Sequence, residues 1–269
     1  MDAMLALVGF GEAGSTFASA AGWGASAFAW DTVLSRREAM REAGVVAGGD
    51  AETTLAGMPL VLSLVTADSA LTAAQEYAPL LAKGAIWCDM NSVAPETKRA
   101  AAVAVEAAGG RYADVAVLAP VAPARMNVPL LVSGACAEAA AAMLREAGFA
   151  NVRTVGFEVG RASAIKMIRS VMVKGIEALT DEMMAAAEKA GVADEVLASL
   201  DASEKPKPWA ERAAYNRERM ATHGERRAAE MEESASTLVS LGVEPVMTLG
   251  TVRRQRGAAE HARRGGQAQ

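Results

Sequence analysis

Short apolar runs alternate with stretches of small, helix-compatible residues over roughly the first 157 positions. Residues 4–8 are an apolar run that ends in Gly9-Phe10-Gly11-Glu12-Ala13-Gly14, and small residues fill 15–21; this reads as strand, tight turn, helix. A second strand over 26–30 stops at Asp31. A helix-compatible stretch over 35–43 then leads to Val45 and Val46, which closes a βαβ unit. The apolar run 60–65 has the character of a strand buried on both faces of a parallel sheet. A helix over 69–81, a strand over 85–88 running into Asp89-Met90-Asn91-Ser92, and a helix over 95–108 follow. Strands around 112–117 and at 130–133 continue the alternation. The pattern predicts an α/β fold with a doubly wound, Rossmann-type open sheet at the N-terminus.

The alternation stops after Gly160. Between 162 and 190, Ile165, Ile168, Met172, Ile176, Leu179 and Met183 recur at spacings of three and four, the signature of one long amphipathic helix that Gly191 terminates. Lys205-Pro206-Lys207-Pro208 breaks the next segment, and more helix is expected from 209 to 241. The chain therefore divides, on its pattern, into an α/β domain at 1–158 and an all-helical C-terminal domain at 159–252. A flexible basic tail is expected at 253–269, where five arginines and a Gly-Gly pair show no apolar period. Met167, Met172, Met183 and Met184 read as core filler.

Composition narrows the function classes. A net charge of −5 over 269 residues argues against a general nucleic-acid binder. No apolar run reaches the ~20 residues of a membrane span. The opening segment has an acid at position 2 and no basic stretch, so it does not read as a secretory signal, and a cytoplasmic location is expected. Two cysteines without CxxC spacing and two histidines argue against a disulfide scaffold or a zinc site, and no metal is expected.

The candidate chemistry starts at the G-x-G-x-x-G of Gly9, Gly11 and Gly14. Such glycines give a tight turn, close approach of backbone to a pyrophosphate, and close helix–strand packing, with helix N–H groups facing the phosphate. Asp31, 22 residues after Gly9, is placed to accept the adenosine ribose hydroxyls and to repel a 2′-phosphate, which favours NAD over NADP. Arg36 and Arg37 could instead hold that phosphate, or simply form a solvated helix face. Farther on, Lys166, Arg169 and Ser170 share one face of the long helix by their spacing. They sit where two domains should meet, and clefts form at such junctions; an ordinary polar stripe has the same spacing.

These motifs in this order resemble the β-hydroxyacid dehydrogenases, relatives of 3-hydroxyisobutyrate and 6-phosphogluconate dehydrogenase. The resemblance is closest to a subgroup of uncharacterised proteins with a 6-phosphogluconate-dehydrogenase-like C-terminal domain, and it covers residues 4 to 250. Asp89 to Pro95 is similar to the family's D-x-S-T-x-x-P, and Gly156 to Ser170 to its G-x-x-G-x-G-x-x-x-K-x-x-x-N. The resemblance implies a cofactor site made by Gly9, Phe10, Gly11, Glu12, Ala13, Gly14, Asp31, Val65, Thr66 and Asn91. It implies Lys166 as catalytic acid/base, with Ser92 beside nicotinamide and substrate. A lysine ammonium drawn into a cleft loses hydration, which lowers its pKa and makes proton exchange near neutral pH feasible.

Two departures bear on substrate. The family's D-A-P-V-S-G-G, which cradles a carboxylate, is here Asp114-Val115-Ala116-Val117-Leu118-Ala119-Pro120, and Ser170 replaces an Asn. Val117, Leu118 and Ala119 then suggest an apolar substrate wall, with Arg169 or Arg125 as a replacement anchor. His223, in a charged helical segment, is a further substrate-site candidate across a homodimer, or else part of a solvated face. The function expected is NAD(P)-dependent hydride transfer at a hydroxyl or carbonyl of a small, aromatic-type molecule. Imine reduction and non-catalytic dinucleotide sensing are the alternatives.

Overall fold

A computed structural model describes residues 5–203 and 207–266. The chain splits into two compact units, 1–169 and 170–269. The boundary falls about ten residues after the position 158 expected from the sequence, because the first turns of the long helix pack with the sheet unit.

The first unit carries an eight-stranded sheet. Its strands are β1 (Leu5–Val8), β2 (Ala27–Trp30), β3 (Val46–Ala47), β4 (Leu60–Ser63), β5 (Ile86–Asp89), β6 (Arg111–Val117), β7 (Leu130–Ser133) and β8 (Val152–Thr154). The order is β3-β2-β1-β4-β5-β6-β7-β8, which contains the doubly wound 3-2-1-4-5-6 arrangement. Pairing is parallel except between β6 and β7, where Val117 stands opposite Leu130 in antiparallel register. The helices of this unit are α1 (Glu12–Ala21), α2 (Arg36–Glu42), α3 (Ala51–Leu55), α4 (Ala70–Tyr77), α5 (Pro95–Ala107), α6 (Val121–Ala124) and α7 (Ala137–Glu146).

Strand side chains alternate between two cores, one on each face of the sheet. Leu5, Leu7, Leu60, Leu62, Ile86 and Cys88 enter one, with Phe17, Trp23 and Phe149. Ala6, Val8, Val61 and Trp87 enter the other, with Leu55, Tyr77 and Val105. This two-sided burial is why β4 reads as a continuous apolar run. Cys88 and Cys136 are both free and buried, and burial pushes each thiol upward from its ordinary pKa.

The helix α8 (Arg161–Ala190) begins in the first unit and continues into the second, which adds α9 (Ala193–Ser203), α10 (Trp209–Ser240) and α11 (Val246–Gly266). The expected flexible tail is corrected here. Residues 253–266 are the larger part of α11, and only 267–269 lie outside the described residues. Val252, Gln255 and Ala259 are buried. Arg256 and Arg263 pair with Glu232 and Glu225 of α10 at 2.7 and 2.8 Å. The Arg-rich segment is thus one wall of a helix pair, with its charges on the outside. The Lys-Pro break falls partly on residues 204–206, outside the described residues. Met172, expected in a core, is 49% exposed. Among the described residues, no helix is long and apolar enough to cross a membrane.

Candidate active site

The sheet reverses winding direction between β1 and β4, and a crevice of about 550 Å³ opens at the carboxyl ends of those strands. Open α/β sheets bind ligands at such a switch point. The glycine loop enters it directly from β1. Gly9 adopts φ +91°, and a Cβ there would stand 2.7 Å from the Leu64 carbonyl oxygen. A Cβ on Gly14 would stand 2.8 Å from the Gly9 carbonyl, whereas one on Gly11 would meet nothing within 4 Å. Two glycines therefore let backbone pass backbone, and the third leaves open space. Gly11 caps α1 with no side-chain hydrogen bond, so the first N–H groups of a ten-residue helix are left for an anion. These features fit a dinucleotide pyrophosphate.

Gly9, Gly11, Glu12, Ala13, Asp31, Val65 and Thr66 all line the crevice. Phe10 does not line it: its ring is fully buried in the core and its N–H is bonded to Asp31. Asp31 does more than the sequence suggested. Its Oδ2 accepts the Phe10 N–H at 2.7 Å and its Oδ1 accepts the Val33 N–H at 2.8 Å, so the carboxylate braces the glycine loop and the turn after β2. Arg36 reaches the crevice, while Arg37 donates to the Gly49 carbonyl at 2.9 Å. Glu12, Asp31, Asp68 and Glu76 line the same crevice. Asp68 is held below its ordinary pKa by the Thr66 hydroxyl and nearby backbone N–H groups. A lining this acidic suits two ribose hydroxyls better than a 2′-phosphate. Trp30 and Tyr77 form its inner wall, joined by an indole-to-hydroxyl bond of 3.3 Å.

The second half of the site follows β5. Lys166, half-buried on α8, donates to the hydroxyl of exposed Ser92. Asn91 is 5% exposed; its Nδ2 donates to Asp89 Oδ1 at 2.8 Å and Ser63 Oγ at 3.0 Å. Its Oδ1 is buried with no hydrogen-bond partner among the described residues. Arg169 is exposed and reaches the Leu118 carbonyl at 3.4 Å. Ser170 stands one turn beyond Lys166 on α8, at the start of the second unit.

Beneath these groups lies a buried polar network that sequence reasoning missed. Lys98, Asp89 and Asp114 have no exposed surface. Lys98 Nζ donates to the Asp89 carbonyl at 2.6 Å and to its Oδ1 at 2.8 Å, and lies 3.6 Å from Asp114 Oδ1. Tyr112 donates its hydroxyl to Asp89 Oδ2 at 2.6 Å, and burial next to that carboxylate raises the phenol's pKa. Asp114 Oδ2 accepts the N–H groups of Gly160 and Ser163, the Ser163 hydroxyl and the Ser133 hydroxyl, at 3.0 to 3.1 Å. Removing one member of such a buried pair typically costs about 3–5 kcal/mol. A signal was present, because Lys98 shares the i, i+3, i+4, i+7 stripe of Ala101, Ala102 and Val105, a lysine on the buried face of α5.

The segment expected to form an apolar substrate wall packs largely on the protein's own cores. Val117, Leu118 and Ala119 are half-buried. Val117 and Ala119 pack on the main core, and Leu118 packs on a small cluster of Ala116, Leu131 and Ala162. The Leu118 N–H is committed to the Pro129 carbonyl at 3.0 Å, so that N–H is not free to cradle a carboxylate. Arg125, with φ +48°, lies in a separate crevice against Ser15, Thr16 and Ser19 of α1. His223 is exposed on α10 in the second unit. That unit has its own apolar cavity of about 510 Å³, lined by residues including Leu179, Met183, Ala187, Val196, Leu200 and Leu238. No group of three or more His, Cys, Asp or Glu residues that could hold a metal occurs among the described residues.

Comparisons with known proteins agree with this geometry. Residues 4–156 match the family described as the NAD binding domain of 6-phosphogluconate dehydrogenase, and residues 187–258 match a domain of unknown function, DUF1932. The solved structure of a conserved hypothetical protein from Sinorhizobium meliloti is 36% identical, with TM-score 0.64 over 97% of this chain and 89% of that one. A conserved protein of unknown function, described as structurally similar to 3-hydroxyacid dehydrogenases, is 31% identical, with TM-score 0.63 over 96% and 97%. An imine reductase from Streptomyces aurantiacus is 20% identical with TM-score 0.77 over 96% and 95%, which is a likeness of fold.

Proposed function

Since the chain belongs to the family built on the NAD binding domain of 6-phosphogluconate dehydrogenase, we propose that it is an NAD-dependent oxidoreductase acting on a CH–OH group of a small, aryl-substituted molecule. The observation that carries this reading is the Lys166–Ser92 hydrogen bond beside Asn91. It sets a proton-carrying amine next to a hydroxyl in the same unit as the glycine-loop crevice. Bound nicotinamide would accept or supply the hydride. The protein's part is the proton. When the alcohol is oxidised, the neutral amine of Lys166 takes the hydroxyl proton; when the carbonyl is reduced, the ammonium returns a proton to oxygen. Ser92 orients the amine, and Asn91 Oδ1, buried without a hydrogen-bond partner among the described residues, would accept from a donor on the dinucleotide.

The α1 N-terminus and the Gly9, Gly11 and Gly14 backbone would hold the pyrophosphate, with Asp31 near the ribose. The acidic lining of the crevice supports NAD over NADP. The half-buried Val117, Leu118 and Ala119, with the Leu118 N–H already bonded, support a substrate that does not depend on a carboxylate cradle. We place a homodimer in the same reading, because Val171, Met172, Ile176 and Leu179 of α8 are 76%, 49%, 47% and 45% exposed, more apolar surface than a lone chain usually leaves in water.

The test is a panel of hydroxy compounds, ketones and cyclic imines at saturating NAD(H) and NADP(H). Turnover of aryl-substituted alcohols and ketones, with negligible activity on 3-hydroxyisobutyrate and 6-phosphogluconate, is expected. Efficient use of either small acid would overturn the substrate class, and preference for imines would overturn the reaction.

A further inference from the structure

Lys98 is a fully buried ammonium held between two buried carboxylates, and both carboxylates lead to the site. On one side, Asp89 Oδ1 receives Lys98 Nζ at 2.8 Å together with the Asn91 N–H at 3.0 Å and Asn91 Nδ2 at 2.8 Å. With Nδ2 also given to Ser63, the amide of Asn91 has only one orientation that satisfies its donors. In that orientation Oδ1 is a buried acceptor without a partner among the described residues. On the other side, Asp114 closes the N-terminus of α8 by accepting from Gly160 and Ser163. Lys166 follows Ser163 by three residues, on the next turn of the same helix.

We propose that Lys98 is a positioning residue: its ammonium fixes the Asn91-Ser92 loop against the first turn of α8, and so sets both the Asn91 amide orientation and the Lys166–Ser92 hydrogen bond. The inference rests on the reading of Lys166 and Asn91 given above and extends it to a side chain that touches neither substrate nor cofactor. Without the cation, Asp89 and Asp114 are left as two buried anions with no counter-charge between them. The loop after β5 and the start of α8 are then no longer held by a common partner. An acceptor at Asn91 Oδ1 suits an N–H or O–H donor of the dinucleotide; a flipped amide would place an NH2 there and repel it.

The experiment uses the full chain and two readouts. One is the rate at which each lysine is acetylated by trace acetic anhydride, followed by peptide mass spectrometry. The other is NADH affinity by fluorescence titration. The variants are Lys98→Met, the pair Lys98→Met with Asp89→Asn, which removes one buried charge of each sign, and Asp114→Asn, which keeps shape. In chains shown to be folded by circular dichroism, both Lys98 variants should label Lys166 about tenfold faster and bind NADH about tenfold more weakly, each the scale of one lost hydrogen bond. Asp114→Asn, which loosens only the α8 side, should speed Lys166 labelling and leave NADH affinity unchanged. A lower thermal midpoint with Lys166 labelling and NADH affinity both within twofold of wild type would make Lys98 a purely structural brace and overturn the proposal. If Lys98 variants do not fold, Asp114→Asn decides it, and unchanged Lys166 labelling overturns it. Failure of the unmodified protein to bind NADH would instead overturn the function proposed above, while Lys166 labelling would still decide the role of Lys98.

Discussion

On the proposed reading, a single side chain divides binding from chemistry in this site. Lys166 lies on α8 and is not part of the glycine loop between β1 and α1. Lys166→Ala should therefore leave NAD affinity within a few-fold and lower turnover by roughly 10²–10⁴, the range for a positioned acid/base. Isothermal titration together with steady-state rates would separate the two effects. Asp31 behaves differently, because its carboxylate accepts two backbone N–H groups as well as facing the crevice. Asp31→Ala should weaken NAD by about tenfold or more, since hydrogen bonds to a charged group carry roughly 1.5–3 kcal/mol each. It should also narrow the gap to NADP; calorimetric titration of both dinucleotides checks this. The glycines and Asp31 were legible because a strand–turn–helix pyrophosphate loop and the strand after it dictate spacing along the chain; Lys166 was singled out only through the family resemblance, since its spacing alone equally suits a polar stripe. Lys98, Tyr112 and Ser163 were not, because they meet only once β5, β6, α5 and the start of α8 are packed, and a lysine on the buried face of a helix is easily taken for a surface charge.

At the level of elements, the alternation in the sequence located most strands and helices within a few residues, and α8 was expected at 162–190 and found at Arg161–Ala190. The strand β7 was expected at 130–133 and found there, but its antiparallel direction and the helix α11 were not legible. Strand direction depends on how the short connection from β6 folds back, and α11 is polar enough to resemble a tail until α10 covers it. Two contacts inside the second unit hold that helix. Gly224 of α10 lets the helices approach so closely that a Cβ would collide with the Gln255 carbonyl and press to 3.1 Å of the Ala259 Cβ. Gly224→Ala should lower stability by about 1–3 kcal/mol through overpacking, although alanine is the better helix former; urea unfolding followed by helical circular dichroism reads the change. Glu182 of α8 caps α11 from outside, accepting the Met247 N–H at 2.7 Å, the Thr248 N–H at 2.9 Å and the Thr248 hydroxyl at 2.6 Å. Burial raises its pKa, but these hydrogen bonds outweigh that and hold it below the ordinary value of 4.5. A depressed carboxylate adds stability that is fully present above its unfolded pKa and disappears as pH falls through its folded pKa. The wild type should therefore lose stability relative to Glu182→Gln as pH is lowered from about 5 into the acid range. Equal slopes of the urea midpoint against pH for the two proteins would remove this role.

On the scale of the whole molecule there are two units: an NAD-binding sheet domain that holds Lys166, the proposed proton carrier, and a helical domain with exposed apolar faces. A homodimer through the helical domain is expected to bury roughly 2,000 Å² or more, as obligate interfaces do. Light scattering of the full chain at micromolar concentration should give about twice 27.8 kDa; the monomer mass would remove the dimer. The hydride-transfer assignment meets its most direct test in NAD reduction by an aryl-substituted alcohol, measured side by side for the wild type and Lys166→Ala at saturating dinucleotide. Measurable turnover in the wild type and a loss of at least about a hundredfold in the variant, with NAD binding retained by both, is the expected result; equal rates in the two proteins would contradict it.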